Sequence, residues 1–249
     1  MQTISWDNTK LVVFDLDGTL YDQNRLRAIM GSKLIFDALK SWSFNTIEVL
    51  RAFRKCREDL AADMQYGFVD GQFELAAARC GCTVSEVKSL VNEWIEQRPL
   101  RHLAGCRYPG VAELFSALRQ SGRIIAILSD YAVEGKLAAL ELKADVMVSA
   151  EDIDVQRLKP DPKGLSRILD ITGMSAKCSL MIGDRFDRDW EVANRLGMNA
   201  IIRSRHTDAR CITFRSYHDK LFDAVKQLPG KGISVNTRFT RQDDNVPEF

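Results

Sequence analysis

Asp15 and Asp17 stand one residue apart in Phe14-Asp15-Leu16-Asp17-Gly18-Thr19-Leu20, directly after a short apolar run. The side-chain period along an extended chain is two, so the pair points the same way if strand geometry persists. Two neighbouring carboxylates can share a divalent cation, or one can attack an electrophile while the other handles the proton. Gly18 permits the sharp turn needed to leave a strand. Three more groups of related chemistry follow. Ser129-Asp130 ends another apolar run and offers a hydroxyl to a phosphate oxygen, Lys159 is pinned in Lys159-Pro160-Asp161-Pro162, and Gly183-Asp184 is followed by Asp187 and Asp189. Each piece alone has a plainer reading: an exposed turn for the paired aspartates, a helix cap for Ser-Asp, a surface lysine, a Gly-Asp turn. Their common placement at strand ends argues for chemistry, and transfer of a phosphoryl group uses all of them.

The elements that must position these residues follow from the hydrophobic pattern. Short runs rich in Val, Ile and Leu at 11–14, 123–128, 145–148, 179–182 and 200–202 have little polar alternation. That pattern belongs to parallel strands covered on both faces. Pro109 opens a helix carrying Val111, Leu114, Phe115 and Leu118, which Gly122 closes; Asp161-Pro162 starts a second, stopped by Gly173; a third ends at Gly197. Strand and helix in alternation predict an α/β, doubly wound parallel sheet of the Rossmann-like kind, with its chemistry at the carboxyl ends of the strands. Residues 22–104 read instead as helix throughout. Leu34, Ile35, Ala38, Leu39 and Trp42 form one apolar stripe, Val49, Phe53, Cys56 and Leu60 another, and Thr83 with Glu86 makes a capping box. The expected organisation is a core from residues 1–21 and 105–232, a helical insertion at 22–104, and a loose polar tail at 233–249.

Bulk properties exclude several classes. The 249 residues carry 35 Lys+Arg against 34 Asp+Glu, so no long-range positive field is available for nucleic acid or an anionic membrane. The locally basic stretch Arg203, Arg205, His206, Arg210 and Arg215 reads as solvated surface. No apolar run is long enough to cross a bilayer, and the polar start lacks the pattern of a signal peptide. Six scattered cysteines without a CxxC pair read as reduced structural thiols, and a cytoplasmic location is the expectation. The three histidines are too dispersed for a metal cluster, and no G-x-S-x-G elbow, P-loop or GxGxxG is present.

The segment from Phe14 to Leu20 resembles the first signature of the haloacid dehalogenase superfamily. Ser129 resembles the second, Lys159 the third, and Gly183-Asp184 through Asp189 the fourth, GDxxxxD, so the likeness covers about residues 10–204. The helical insertion is similar in position to the helical cap of the first cap class. This resemblance implies Asp15 as nucleophile and Asp17 as acid and base, with Ser129 and Lys159 steadying phosphoryl oxygens. It implies magnesium (Mg2+) held by the Asp15 carboxylate, the Asp17 backbone carbonyl and the Asp184 carboxylate. Asp189, Thr19 and Gly18 would support them from behind, Asp189 by orienting Lys159 or binding metal through water. Arg185 departs from the usual small residue; it could meet substrate, and an ion pair with Asp187 or Asp189 is the favoured reading. The implied activity is a phosphatase acting on a small-molecule phosphomonoester, as a monomer or homodimer. A phosphomutase like β-phosphoglucomutase is the enzyme alternative, and a non-catalytic binding protein retaining the fold is the alternative from another class. Dehalogenases acting on carbon lack an acid/base aspartate at the position of Asp17, since halide leaves without a proton. Tyr21, Arg25 and Arg27 follow the nucleophile loop and could reach a leaving group, and Arg54 and Arg57 sit on a helix of the insertion, although solvated helix charge is the plainer reading of the arginines.

Overall fold

A computed structural model describes residues 4–62 and 68–227. Six parallel strands form one sheet in the order β3-β2-β1-β4-β5-β6: β1 (Leu11–Phe14), β2 (Ile124–Ser129), β3 (Val146–Ser149), β4 (Ser179–Gly183), β5 (Asn199–Arg203) and β6 (Ile212–Phe214). The order steps outward from β1 in both directions, which is the doubly wound arrangement. β1 lies at the centre, and all four of its residues are buried.

The two-residue period of the strands divides the core. Val12, Phe14, Ile125, Ile127, Leu180 and Ile182 pack on one face with α6 (Val111–Gln120), where the rings of Phe14 and Phe115 lie 4.7 Å apart. Leu11, Val13, Ala126, Leu128 and Met181 pack on the other, against Leu165 and Ile168 of α8 (Lys163–Thr172) and Val192 and Ala193 of α9 (Glu191–Arg195). At about 25 cal/mol per Å² of apolar area removed from water, this two-sided burial is the main favourable contribution to folding.

Between β1 and β2 the chain is helical: α1 (Gln23–Ser41), α2 (Asn45–Ala62), α3 (Phe68–Cys80), α4 (Val84–Val91), a π-helical turn at Asn92–Gln97, and α5 (Leu100–Leu103). Asp22 caps α1 by accepting from the N–H of Arg25, and Thr83 with Glu86 forms the expected capping box on α4. Val49, Phe53, Cys56 and Leu60 are buried as expected, and Phe53 stacks on Phe73 at 5.2 Å. The α1 stripe is different. Leu26, Met30 and Ala38 are its buried face, while Ile35, Leu39 and Trp42 lie on the adjacent one, with Trp42 94% exposed. Helical periodicity sets which residues share a face, but not which face meets a neighbour. The two connections to this segment run side by side: the N–H of Tyr108 donates to the carbonyl of Leu20, and that of Asp22 to Cys106.

β6 was not expected from the sequence. It is an edge strand of three residues with a central threonine, set inside the basic stretch. Arg205, His206, Arg210 and Arg215 are exposed as expected, whereas Arg203 packs over the ring of Tyr108 at 3.5 Å. All six cysteines are free thiols. Among the described residues, no helix is long and apolar enough to cross a membrane. The expected tail at 233–249 lies outside the described residues.

Candidate active site

β1 ends at Phe14, so Asp15 is the first residue beyond the strand, its N–H still donating to the Ile182 carbonyl of β4 at 2.9 Å. Its side chain is buried at the centre of the sheet's carboxyl edge. Lys159 Nζ donates to Asp15 Oδ1 at 2.5 Å, and the Thr19 hydroxyl donates to Oδ2 at 2.8 Å. Both carboxylate oxygens are therefore held from the side of the protein. Thr19 is itself fully buried, and its carbonyl accepts from the Tyr217 hydroxyl at 2.8 Å, which ties the loop to the segment after β6.

Lys159 reaches a second carboxylate, Asp189 Oδ1, at 2.7 Å. Asp189 is 1% exposed, and its other oxygen accepts the backbone N–H groups of Asp184 and Arg185 at 3.1 and 3.0 Å. Both oxygens of Asp189 are thus committed. Asp184 is not: among the described residues its carboxylate receives only the long contact from Thr19 at 3.5 Å. One oxygen each from Asp15, Asp184 and Asp189 lie within 4.8 Å of one another. Two glycines make this crowding possible. Gly18 has φ +98, and a Cβ there would collide with the Asp184 carboxylate; a Cβ on Gly183 would meet the side chain of Asp189.

The electrostatics follow from this packing. Burial raises Asp15 well above the usual carboxylate range, Lys159 opposes that shift, and Asp189 and Asp184 add to it. Burial also pushes Asp184 up to about 7, with Asp189 contributing. For Lys159, burial alone would weaken the ammonium, but Asp15, Asp189 and Asp130 outweigh it and hold it above its ordinary value. One ammonium among two buried carboxylates and the half-buried Asp184 leaves an excess of negative charge. That excess, with oxygen donors only and Asp184 weakly engaged, fits a hard divalent cation.

Asp17 faces the same cavity but holds different partners. Lys136 Nζ lies 3.0 and 3.1 Å from its two carboxylate oxygens, and the Tyr21 hydroxyl donates to Oδ1. Because the strand stops before Asp15, the two-residue period does not by itself orient Asp17. Lys136 lies in α7 (Glu134–Ala139), is 6% exposed, and had no signal in the sequence, since a lone lysine in a helix carries no spacing pattern. Burial would weaken its charge, but Asp17 and Glu96 more than offset that.

Ser129 is buried at the end of β2, where its hydroxyl accepts the N–H of Tyr131 at 3.1 Å and keeps its hydrogen to donate elsewhere. The neighbouring Asp130 accepts the N–H of Lys159 at 3.0 Å and pairs with Arg188 at 2.8 Å, which fixes the loop carrying Lys159. Arg185 pairs with Asp187 at 2.6 Å on the exposed rim, one of the two expected partners. Arg57 departs from its reading as solvated charge. It is 3% exposed and spans from α2 to the sheet: it donates to Gln72 and to the Asp130 carbonyl, pairs with Glu151 at 3.0 Å, and lies over the Tyr131 ring. A charge enclosed this way belongs to the contact between the helical segment and the sheet.

A cavity of about 240 Å³ lies over the strand ends, with Asp15, Asp17, Lys136, Lys159 and Asp184 on its floor. Helices α1 and α2 and the π-helical turn form its roof, through Leu26, Met30, Leu50 and Trp94. Of the residues read as able to reach a leaving group, Tyr21 and Arg27 line it and Arg25 does not; Arg54 and Arg57 of α2 also line it.

Comparison with known proteins places this arrangement. A glyceraldehyde 3-phosphate phosphatase of Methanopyrus kandleri is 27% identical over 196 residues, covering 76% of this chain and 81% of that protein. The magnesium-bound hydrolase YfnB of Bacillus subtilis superposes with a TM-score of 0.62 at 18% identity, covering 87% of this chain and 98% of that one. A 2-haloacid dehalogenase of Pseudomonas syringae pv. Tomato superposes with a TM-score of 0.61 at 20% identity, covering 87% and 97%. These two structural likenesses speak to the fold. A profile of the haloacid dehalogenase-like hydrolases matches residues 9–197, most of the sheet and the whole helical segment included, and the chain belongs to that family.

Proposed function

We propose that this protein is a magnesium-dependent phosphoric monoester hydrolase acting on a small molecule through an aspartyl-phosphate on Asp15. The observation that carries the reading is Lys159 set between Asp15 and Asp189, beside the carboxylate of Asp184. A carboxylate approaching a phosphate dianion meets strong repulsion, and positive charge at the site must offset it. The Asp15 and Asp184 carboxylates and the Asp17 carbonyl would hold Mg2+, whose contribution is to neutralise charge on the phosphoryl oxygens. Asp189, with both oxygens engaged, is better suited to orienting Lys159 than to ligation.

In the first step a carboxylate oxygen of Asp15 bonds to phosphorus as the ester P–O bond breaks, and Asp17 gives its proton to the departing alkoxide. In the second, Asp17 takes a proton from water as that water bonds to phosphorus and the Asp15–phosphorus bond breaks. Lys136 and Tyr21 fix Asp17 between these exchanges. Lys159 and Ser129 accompany the phosphoryl oxygens, and helices α1–α5 act as a cap that limits the site to small substrates. The acid at Asp17 favours phosphate over halide as the leaving chemistry, and six free thiols suit a cytoplasmic protein.

The test is phosphate release over a panel of small phosphomonoesters with Mg2+, using Asp15→Asn as blank. The native protein is expected to turn over and the variant to be silent with its fold intact. Activity retained by Asp15→Asn, or indifferent to EDTA, would remove this mechanism; isomerisation of a sugar phosphate without net release would mark a mutase.

A further inference from the structure

The roof of the cavity holds a feature that the chemistry above does not use. Cations on the floor and rim have anionic partners: Lys159 has Asp15 and Asp189, Lys136 has Asp17, Arg188 has Asp130, and Arg185 has Asp187. Arg57 is committed to Gln72, Asp130 and Glu151. Arg27 on α1 and Arg54 on α2 also line the cavity, both exposed at its mouth to solvent, and among the described residues neither has a hydrogen-bond or ion-pair partner. They are close enough for the charge of Arg27 to act against that of Arg54. Glu58, one turn further along α2, acts on Arg185 and closes no ion pair with Arg54. Leu26, Met30, Leu50 and Trp94 line the same cavity and make part of its wall apolar.

Two unpaired guanidinium groups lining one cavity repel each other, and an anion between them relieves that repulsion. Their planar forks match the oxygens of a carboxylate or phosphate. From this juxtaposition we infer that Arg27 and Arg54 form a second anion subsite, so that the substrate is a small phosphomonoester bearing another anionic group. The phosphoryl group lies at Asp15, a short body crosses the cavity, and the second anion reaches the two arginines. This inference rests on the phosphatase reading for the end at which the reacting phosphate sits. A cavity of about 240 Å³ admits a ligand of this size.

Matched substrates provide the test. Glycerol 3-phosphate is compared with 3-phosphoglycerate, which adds a carboxylate, and fructose 6-phosphate with fructose 1,6-bisphosphate, which adds a phosphate. The native protein with Mg2+ is expected to favour at least one bianionic partner by about tenfold or more in kcat/KM, as charge-assisted hydrogen bonds allow. Arg27→Met and Arg54→Met should each erase most of that preference through KM. The carboxylate and phosphate arms tell which anion is taken. Equal kcat/KM within both pairs, or a preference unchanged in both variants, overturns the subsite. If no phosphomonoester is hydrolysed, the phosphatase reading fails separately. Calorimetric binding of the same pairs to Asp15→Asn then decides the subsite alone: preference for the bianionic ligand supports it, and equal binding overturns it.

Discussion

Replacing Lys159 with Met removes one ammonium and leaves a side chain of similar length. In the native protein that ammonium lies 2.5 Å from Asp15 and 2.7 Å from Asp189, with all three side chains less than a tenth exposed. Deleting one member of a buried ion pair typically costs about 3–5 kcal/mol, because the remaining charge has no solvent to turn to. Here two carboxylates are left, with Asp184 beside them. Proton uptake limits the penalty, since Asp15 and Asp184 are already raised by burial. At roughly 2–4 °C per kcal/mol for a chain of this size, the melting temperature in EDTA at pH 8 should fall by about 6–20 °C. Carboxyls with raised folded-state pKa values stabilise the fold while protonated, so the deficit should shrink toward pH 5 and also shrink when Mg2+ is added at pH 8. Turnover should drop by about a hundredfold or more, as expected on losing one charge that stabilises the transition state. Thermal unfolding by circular dichroism and phosphate release are the assays. A melting temperature within about 2 °C of native at pH 8 in EDTA would refute the reasoning, because the ammonium would then not be offsetting its carboxylates.

Asp184 is pushed up to about 7 from an ordinary 3.8, so its contribution to stability is complete below about pH 4 and lost as pH rises through 7. The increase in melting temperature on adding Mg2+ should accordingly be larger at pH 8 than at pH 5, and an equal increase at both would count against Asp184 as a ligand. Lys136→Met should lower kcat roughly 10- to 100-fold, part of the ~10²–10⁴ that acid–base catalysis contributes. It should also shift the pH profile of kcat, and Lys136→Arg should recover part of the rate; an unshifted profile would leave Lys136 a packing residue. Gly18→Ala should destabilise the protein by about 1–3 kcal/mol in denaturant unfolding, through positive φ and collision with Asp184. A neutral substitution there would mean the loop relaxes freely.

Much of the scaffold was legible because local chemistry governs it. The run that became β1 is apolar along its whole length, and those that became β2 and β4 are apolar through their centres, as strands buried on both faces must be. Gly173 and Gly197 end helices at positive φ, and Thr83 with Glu86 caps α4, all through contacts within a few residues. β6 was hidden because an edge strand of three residues has no periodicity to read, and its place comes from pairing with β5. The face of α1 that would be buried was likewise undecided until α2 and the sheet met it.

The sequence by itself determined which residues stand at the strand ends, because a parallel sheet brings the carboxyl ends of its strands to one edge. Only the tertiary structure decided what each does there. Lys159 meets Asp15 across 144 residues and Asp189 across 30, Lys136 meets Asp17 across 119, and Thr19 is buttressed by Tyr217 across 198. Arg57 became buried, whereas Arg27 and Arg54 stayed exposed as expected while lining a cavity, though all three look alike as helix charges. Partner choice at such separations depends on where the helices settle over the sheet, and on which charges that settling removes from water. Those are properties of the packed whole, and no local pattern encodes them.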